Sequence, residues 1–185
     1  VRVDELKQTR LQIVQRLGMA AEYKDNETGL HVIRMSHFSK VLALAAGFSE
    51  SAAEELLNAA PMHDVGKIGI PDAILNKPGR LDSEERLHMN QHAQIGYDIL
   101  HDEQRSPLTD LAAEIAVSHH ERWDGSGYPN GLKGEEIPLS GRIVALCDVY
   151  DALRSPRSYK QAWSAERAQA YILENAGGHF DPHLV

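Results

Sequence analysis

The chain has 185 residues, 42% of them hydrophobic and 25% charged, which suits one compact domain with a full core and excludes a disordered or collagen-like chain. A formal net charge of -8 argues against a binder of polymeric nucleic acid, which needs clustered Lys and Arg. The longest nearly apolar stretch, residues 41–48, is far too short for a membrane span, and Cys147 has no cysteine partner and reads as a core residue of a cytoplasmic protein. No secretory leader is visible, and the chain reads as a fragment of something longer.

Leu6, Ile13, Leu17 and Ala20 or Ala21 recur at helical spacing, so residues 1–25 are expected to form a connector helix ahead of a domain over 26–185. A second helix is expected over 28–46, stopped by Gly47. A third follows Ser51, where Ser51-x-x-Glu54 has the form of a capping box, and Pro61 should kink or break it just before His63. Residues 66–79 read as an ordered loop rich in Gly and Pro. Asp82-x-x-Glu85 caps a helix reaching about Leu100, and another runs from Asp110 to about Glu121, carrying His119 and His120. Residues 124–141 form a long loop of the kind that tends to be functional. Helices are expected again over 142–153 and 164–176. No alternating β pattern of useful length is present, so the fold class is all-α.

Ten histidines are many for so acidic a chain, and neutral imidazole is the commonest metal ligand. Glu27 and His31 stand four apart, on one face of a helix. His63-Asp64 follows the kinked helix, His92 lies on the next one, His119-His120 end the one after, and Asp148 and Asp151 sit on a mostly apolar helix. Burying these carboxylates and imidazoles together without cations leaves repelling charges and unpaired ring nitrogens. Two divalent ions would more than balance Glu27, Asp64 and Asp148, and the positive excess could hold a phosphate. Nitrogen and oxygen donors without thiolate suit iron, manganese, nickel or zinc better than magnesium or calcium.

These elements resemble the HD-GYP family of the HD phosphohydrolase superfamily. His63-Asp64-Val65-Gly66-Lys67 matches its HD-x-GK element, and the run from His119-His120-Glu121 through Asp124-Gly125 to Gly127-Tyr128-Pro129 matches its HHE-x-x-DG-x-GYP element. The resemblance extends through Ile70-Pro71-Asp72, Lys77-Pro78-Gly79, Asp148-x-x-Asp151 and Tyr159-Lys160 to Phe180-Asp181-Pro182. It implies an HD-domain helical bundle with extra helices, a long GYP loop and a nonheme metal cluster. The implied activity is hydrolysis of bacterial cyclic dinucleotides, chiefly cyclic di-GMP to linear pGpG or onward to GMP, by water activated at two or three metal ions, iron foremost.

Carried over by resemblance, His63, Asp64 and Asp148 hold one ion, and Asp64 bridges to a second held by His92, His119 and His120. His31 completes the first set or joins Glu27 at a third position. His88 competes with His92 only weakly, because the family's Met-x-x-His spacing runs from Met89 to His92. Lys67 is expected to stabilise transition-state charge or protonate the leaving group, and Asp151 to orient a metal-held water or the lysine. Arg157 and Lys160 match the family's phosphate contacts, and Tyr128 would support the pocket, touch guanine or face a partner. Arg154 and Ser158 stand where the family often has Thr and Pro. The implied partners are an upstream receiver or sensory domain, diguanylate cyclase (GGDEF) proteins at the GYP loop, and a second copy of the chain. The competing readings are a sensor or docking module that binds without turnover and an HD hydrolase for another phosphorylated nucleotide.

Overall fold

A computed structural model describes residues 2–24, 30–102, 106–156 and 161–185, without the side chains of residues 2–4, 7, 8 and 10. Glu27, Arg157, Ser158 and Lys160 lie outside the described residues. The elements run α1 (Arg2–Lys24), α2 (Leu30–Ala45), α3 (Glu50–Ala59), short α4 (Asp72–Leu75), α5 (Ser83–Leu100), α6 (Pro107–Ser118), α7 (Leu139–Arg154) and α8 (Ala165–Glu174). Among the described residues there is no strand, only an isolated bridge between Ala176 and Phe180. The fold is all-α. No helix among the described residues is long and apolar enough to cross a membrane.

The local chemistry explains where these helices start and stop. Asp82 and Glu85 form the expected reciprocal capping box at the start of α5. The cap of α3 is Ser49 rather than Ser51: Gly47, with φ of 92°, ends α2, and Ser49 is left extended with its hydroxyl accepting from the Ala52 N–H. Helix α3 stops at Ala59, and Pro61 sits in a tight 3-10 turn over Ala60–Met62, the break that its missing N–H dictates. Residues expected as one loop contain a second 3-10 turn, Val65–Gly69, before α4. Helix α6 starts earlier than Asp110, because Pro107 fits its first turn, and stops at Ser118, so His119 and His120 stand just beyond its end.

Met35, Leu56, Met62, Ile115, Ile143 and Val144 fill the core between α2, α3, α6 and α7. Cys147 belongs to this core, and burial pushes its thiol up to about 12, which leaves it inert. Two backbone contacts admit no side chain. A Cβ on Gly18 would collide with the Pro61 carbonyl, which seats α1 on the turn before His63, and one on Gly66 would collide with the His92 carbonyl, which seats the 65–69 turn on α5.

Helix α1 does not bury the stripe that its sequence suggests. Leu6, Ile13 and Leu17 are exposed, while Val14, Gly18, Ala21 and Glu22 face inward. Leu6, Ile13 and Leu17 on one side and Val14, Gly18 and Ala21 on the other both recur at helical spacing, so periodicity does not choose between them.

Candidate metal centre

The turn after Pro61 delivers His63 and Asp64, α5 delivers His92, the end of α6 delivers His119 and His120, and α2 and α7 contribute His31 and Asp148. These side chains converge into two adjoining sets. Asp64, His92, His119 and His120 form one, and His31, His63 and Asp148 form the other, with the candidate donor atoms of each set within 4.8 Å of one another.

Asp64 faces both sets with different oxygens. Its Oδ1 lies 3.2 Å from His92 Nε2 and 3.5 Å from His119 Nε2, while its Oδ2 lies 3.2 Å from His63 Nε2 and 2.8 Å from Lys67 Nζ. Burial on its own would raise the Asp64 carboxyl, but Lys67 and His63 outweigh it and hold the group well below the usual carboxylate range.

The histidines are oriented from behind. Nδ1 donates to a backbone carbonyl in His63 (Ala60, 3.0 Å), in His92 (Met89, 2.7 Å) and in His119 (Ala116, 3.0 Å; Ile115, 3.1 Å). With the proton on Nδ1, each Nε2 turns a lone pair inward, and these three nitrogens are buried without hydrogen-bond partners, as is Asp64 Oδ1. Lone pairs converging on a carboxylate repel one another unless a cation lies between them. The donor set therefore fits divalent ions with nitrogen and oxygen preference.

His31 is held by two carboxylates: Nδ1 lies 2.6 Å from Asp151 Oδ2 and Nε2 lies 3.1 Å from Asp148 Oδ1. Burial pulls its pKa down, yet the bonds to Asp148 and Asp151 raise it to about 10. Burial would likewise raise the Asp148 carboxyl, but the hydrogen bond from His31 and the nearby His63 hold it well below its ordinary value. His120 is pushed well below its ordinary value by burial, then by His119 and His92, so its imidazole stays neutral. Tyr128 stacks on that ring, centroids 4.7 Å apart, and burial raises its phenol, which stays protonated.

Asp151 lies behind His31. Its carboxylate accepts from His31, from Arg34 Nε at 2.8 Å and Nη2 at 2.9 Å, and from Ser155 Oγ at 3.1 Å. Those contacts turn it behind His31, while Lys67 Nζ lies against Asp64. His88 is exposed and takes no part in the cluster.

Three participants escaped the sequence reading. Arg34 was invisible because its partner lies on another helix, and Glu121, 2% exposed, accepts from the Asn130 and Leu132 N–H groups at 2.8 and 3.0 Å, holding the loop that follows Tyr128. The third is Glu22 on α1, whose carboxylate reaches His63 and Asp64. Burial, then repulsion by Asp64, raises its carboxyl above the ordinary value.

The HD domain family model matches residues 10–184. The chain is 47% identical over 181 residues to "3'3'-cGAMP-specific phosphodiesterase 2" of Vibrio cholerae, a match covering 98% of this chain and 34% of that protein. It is 45% identical over 183 residues to "Cyclic di-GMP phosphodiesterase response regulator RpfG" of Xanthomonas campestris, covering 99% of this chain and 48% of that protein. The solved structure of a cyclic GMP-AMP specific phosphodiesterase of Vibrio cholerae matches with a TM-score of 0.68 at 22% identity, over 94% of this chain and 46% of that one, a likeness of fold. The chain thus spans between about a third and a half of the length of these curated relatives. The chain belongs to the HD domain family, within the HD-GYP branch that its HHE-to-GYP element marks.

Proposed function

We propose that this domain is a metal-dependent phosphodiesterase that hydrolyses a bacterial cyclic dinucleotide, cyclic di-GMP or 3'3'-cGAMP. The observation that carries the reading is Asp64, which offers one oxygen to each of two inward-facing histidine sets. The names of the relatives supply the substrate class. His31, His63, Asp64 and Asp148 would hold one ion and Asp64, His92, His119 and His120 the second, with Glu27 the proposed ligand of a third and iron the foremost metal. Such ions polarise a phosphoryl oxygen and lower the pKa of water.

The rest is the work of the chain. The backbone carbonyls behind His63, His92 and His119 keep Nδ1 protonated and Nε2 free to bind. Asp151, fixed by Arg34, does the same for His31. Lys67 brings an ammonium to Asp64 Oδ2, where it offsets negative charge that builds on the phosphoryl group and supplies a proton to the departing ribose oxygen. Tyr128 walls the second set through its stack on His120. Arg157 and Lys160 grip the phosphates. Helix α1 links the domain to a receiver or sensory domain upstream in the full-length protein, where it also brings two copies together, and the GYP loop receives diguanylate cyclase partners in the cytoplasm.

Metal analysis of anaerobically purified protein, coupled to chromatography of the products from cyclic di-GMP, 3'3'-cGAMP and nucleoside phosphates, tests this reading. At least two ions per chain and a linear dinucleotide or mononucleotide product are expected. Metal-loaded protein that binds a cyclic dinucleotide under reducing conditions and never cleaves it refutes the reading.

A further inference from the structure

Glu22 is a carboxylate in an unexpected place. It lies on the inward face of α1, 1% exposed, and neither Oε1 nor Oε2 has a hydrogen-bond partner among the described residues. Its carboxylate stands with His63 and Asp64 in a set whose candidate donor atoms lie within 4.8 Å of one another. Packing does not explain the choice of residue, because an ionised carboxylate buried without donor or cation is strongly unfavourable and an apolar side chain of similar volume would fill the space.

His63 also belongs to the set with His31 and Asp148, and Nε2 is the nitrogen it has to offer. Its single lone pair serves one cation, since Nδ1 is committed to the Ala60 carbonyl. A cation that took His63 would therefore find His31 and Asp148 from one set and Glu22 and Asp64 from the other as its candidate ligands.

Helix α1 is pinned so that Glu22 keeps this aim. One turn before it, Gly18 rests against the Pro61 backbone with no room for a Cβ. Just after it, Lys24 Nζ donates to the carbonyls of Ile68 at 2.8 Å and Ile70 at 2.7 Å, and lies 3.5 Å from Asp72. The helix is thus tied on both sides of Glu22 to the segment that carries His63, Asp64 and Lys67.

We infer that Glu22 is a metal ligand, a carboxylate that α1 contributes to the ion held by His31, His63, Asp64 and Asp148. The inference rests on reading the cluster as a metal centre, but not on what the bound ions do to a cyclic dinucleotide. It makes α1 part of the site as well as a connector.

The test follows Mn2+ binding by electron paramagnetic resonance and metal content by elemental analysis, with folding checked by circular dichroism. Glu22→Gln is expected to weaken one Mn2+ site by about 10-fold or more and leave the other unchanged, whereas His92→Ala weakens the other. The metal-free Glu22→Gln protein should melt no lower than metal-free wild type, because an amide is easier to bury than a carboxylate, while its Mn2+-loaded form melts below loaded wild type. Wild-type affinity and metal content in folded Glu22→Gln overturn the inference. If that variant does not fold, Glu22→Met, of similar volume and without a donor oxygen, serves in its place with the same two outcomes. Wild-type protein that fills both Mn2+ sites yet leaves every cyclic dinucleotide intact refutes the proposed function and leaves the Glu22 comparison decisive.

Discussion

Asp151 Oδ2 lies 2.6 Å from His31 Nδ1, so a carboxylate on α7 fixes the ring of a histidine on α2 and turns its other nitrogen toward Asp148. Arg34, on the same helix as His31, closes the arrangement by binding both oxygens of Asp151. A carboxylate behind a metal-binding imidazole sets its tautomer and raises its basicity. Asp151→Asn keeps the shape but removes the charge. It should lower affinity for the ion at His31 by ~10- to 100-fold with the secondary structure unchanged, read by metal titration against a chelator.

Asp64 and Lys67 should separate cleanly. Asp64→Ala removes the carboxylate shared by both histidine sets and is expected to abolish both metal loading and turnover. Lys67→Met leaves every imidazole and carboxylate of the two sets in place, so metal content should match wild type while kcat falls ~100-fold or more. Elemental analysis and steady-state kinetics on the same preparations give both readouts, and a Lys67→Met enzyme with wild-type kcat removes the lysine from the chemistry.

Glu121 anchors the loop through two backbone N–H groups, those of Asn130 and Leu132. Glu121→Ala leaves those donors without their acceptor and should destabilise the fold by about 1–3 kcal/mol, measured by urea unfolding. Because Tyr128 begins that loop segment and stacks on His120, KM should rise more than metal content falls.

His179 predicts how stability depends on pH. Its ring stacks on Phe180, and burial, then Arg122, lowers its pKa from the ordinary 6.5 to about 4. A histidine whose folded pKa is depressed is neutral in the native state and takes up its proton more readily when unfolded. Its contribution to stability is therefore intact above about 6.5 and is lost as pH falls from there toward about 4. His179→Gln should flatten the fall in melting temperature across that window, and an unchanged slope in metal-free protein would count against the assignment.

Much of this architecture was legible where local chemistry decides it. Asp82 and Glu85 announce the start of α5, Pro61 announces a break, and the spacing of His63, His92, His119 and Asp148 marks residues that the fold brings together. Ser49 won the cap of α3 over Ser51 because the left-handed Gly47 that follows α2, two residues before it, fixes the backbone there, which no pattern inside α3 records. Glu22 and Arg34 escaped for a shared reason: each acts through partners on a separate segment, and nothing in its own neighbourhood distinguishes it from a solvated surface charge. Glu121 stood in the His119-His120-Glu121 motif, but its role toward the Asn130 and Leu132 N–H groups is set by the path of the loop and not by the motif. The exposed Leu6, Ile13 and Leu17 show the same limit from the other side, since spacing identifies a helix face without saying what lies against it.

The close approach of Gly66 to the His92 carbonyl has a mechanical meaning. With main chain resting on main chain there is no side-chain cushion to compress or slide, so the HD turn and the helix bearing His92 shift only as one body. Whatever breathing the candidate metal centre undergoes must then come from the other segments around it, chief among them the glycine-rich stretch around Tyr128.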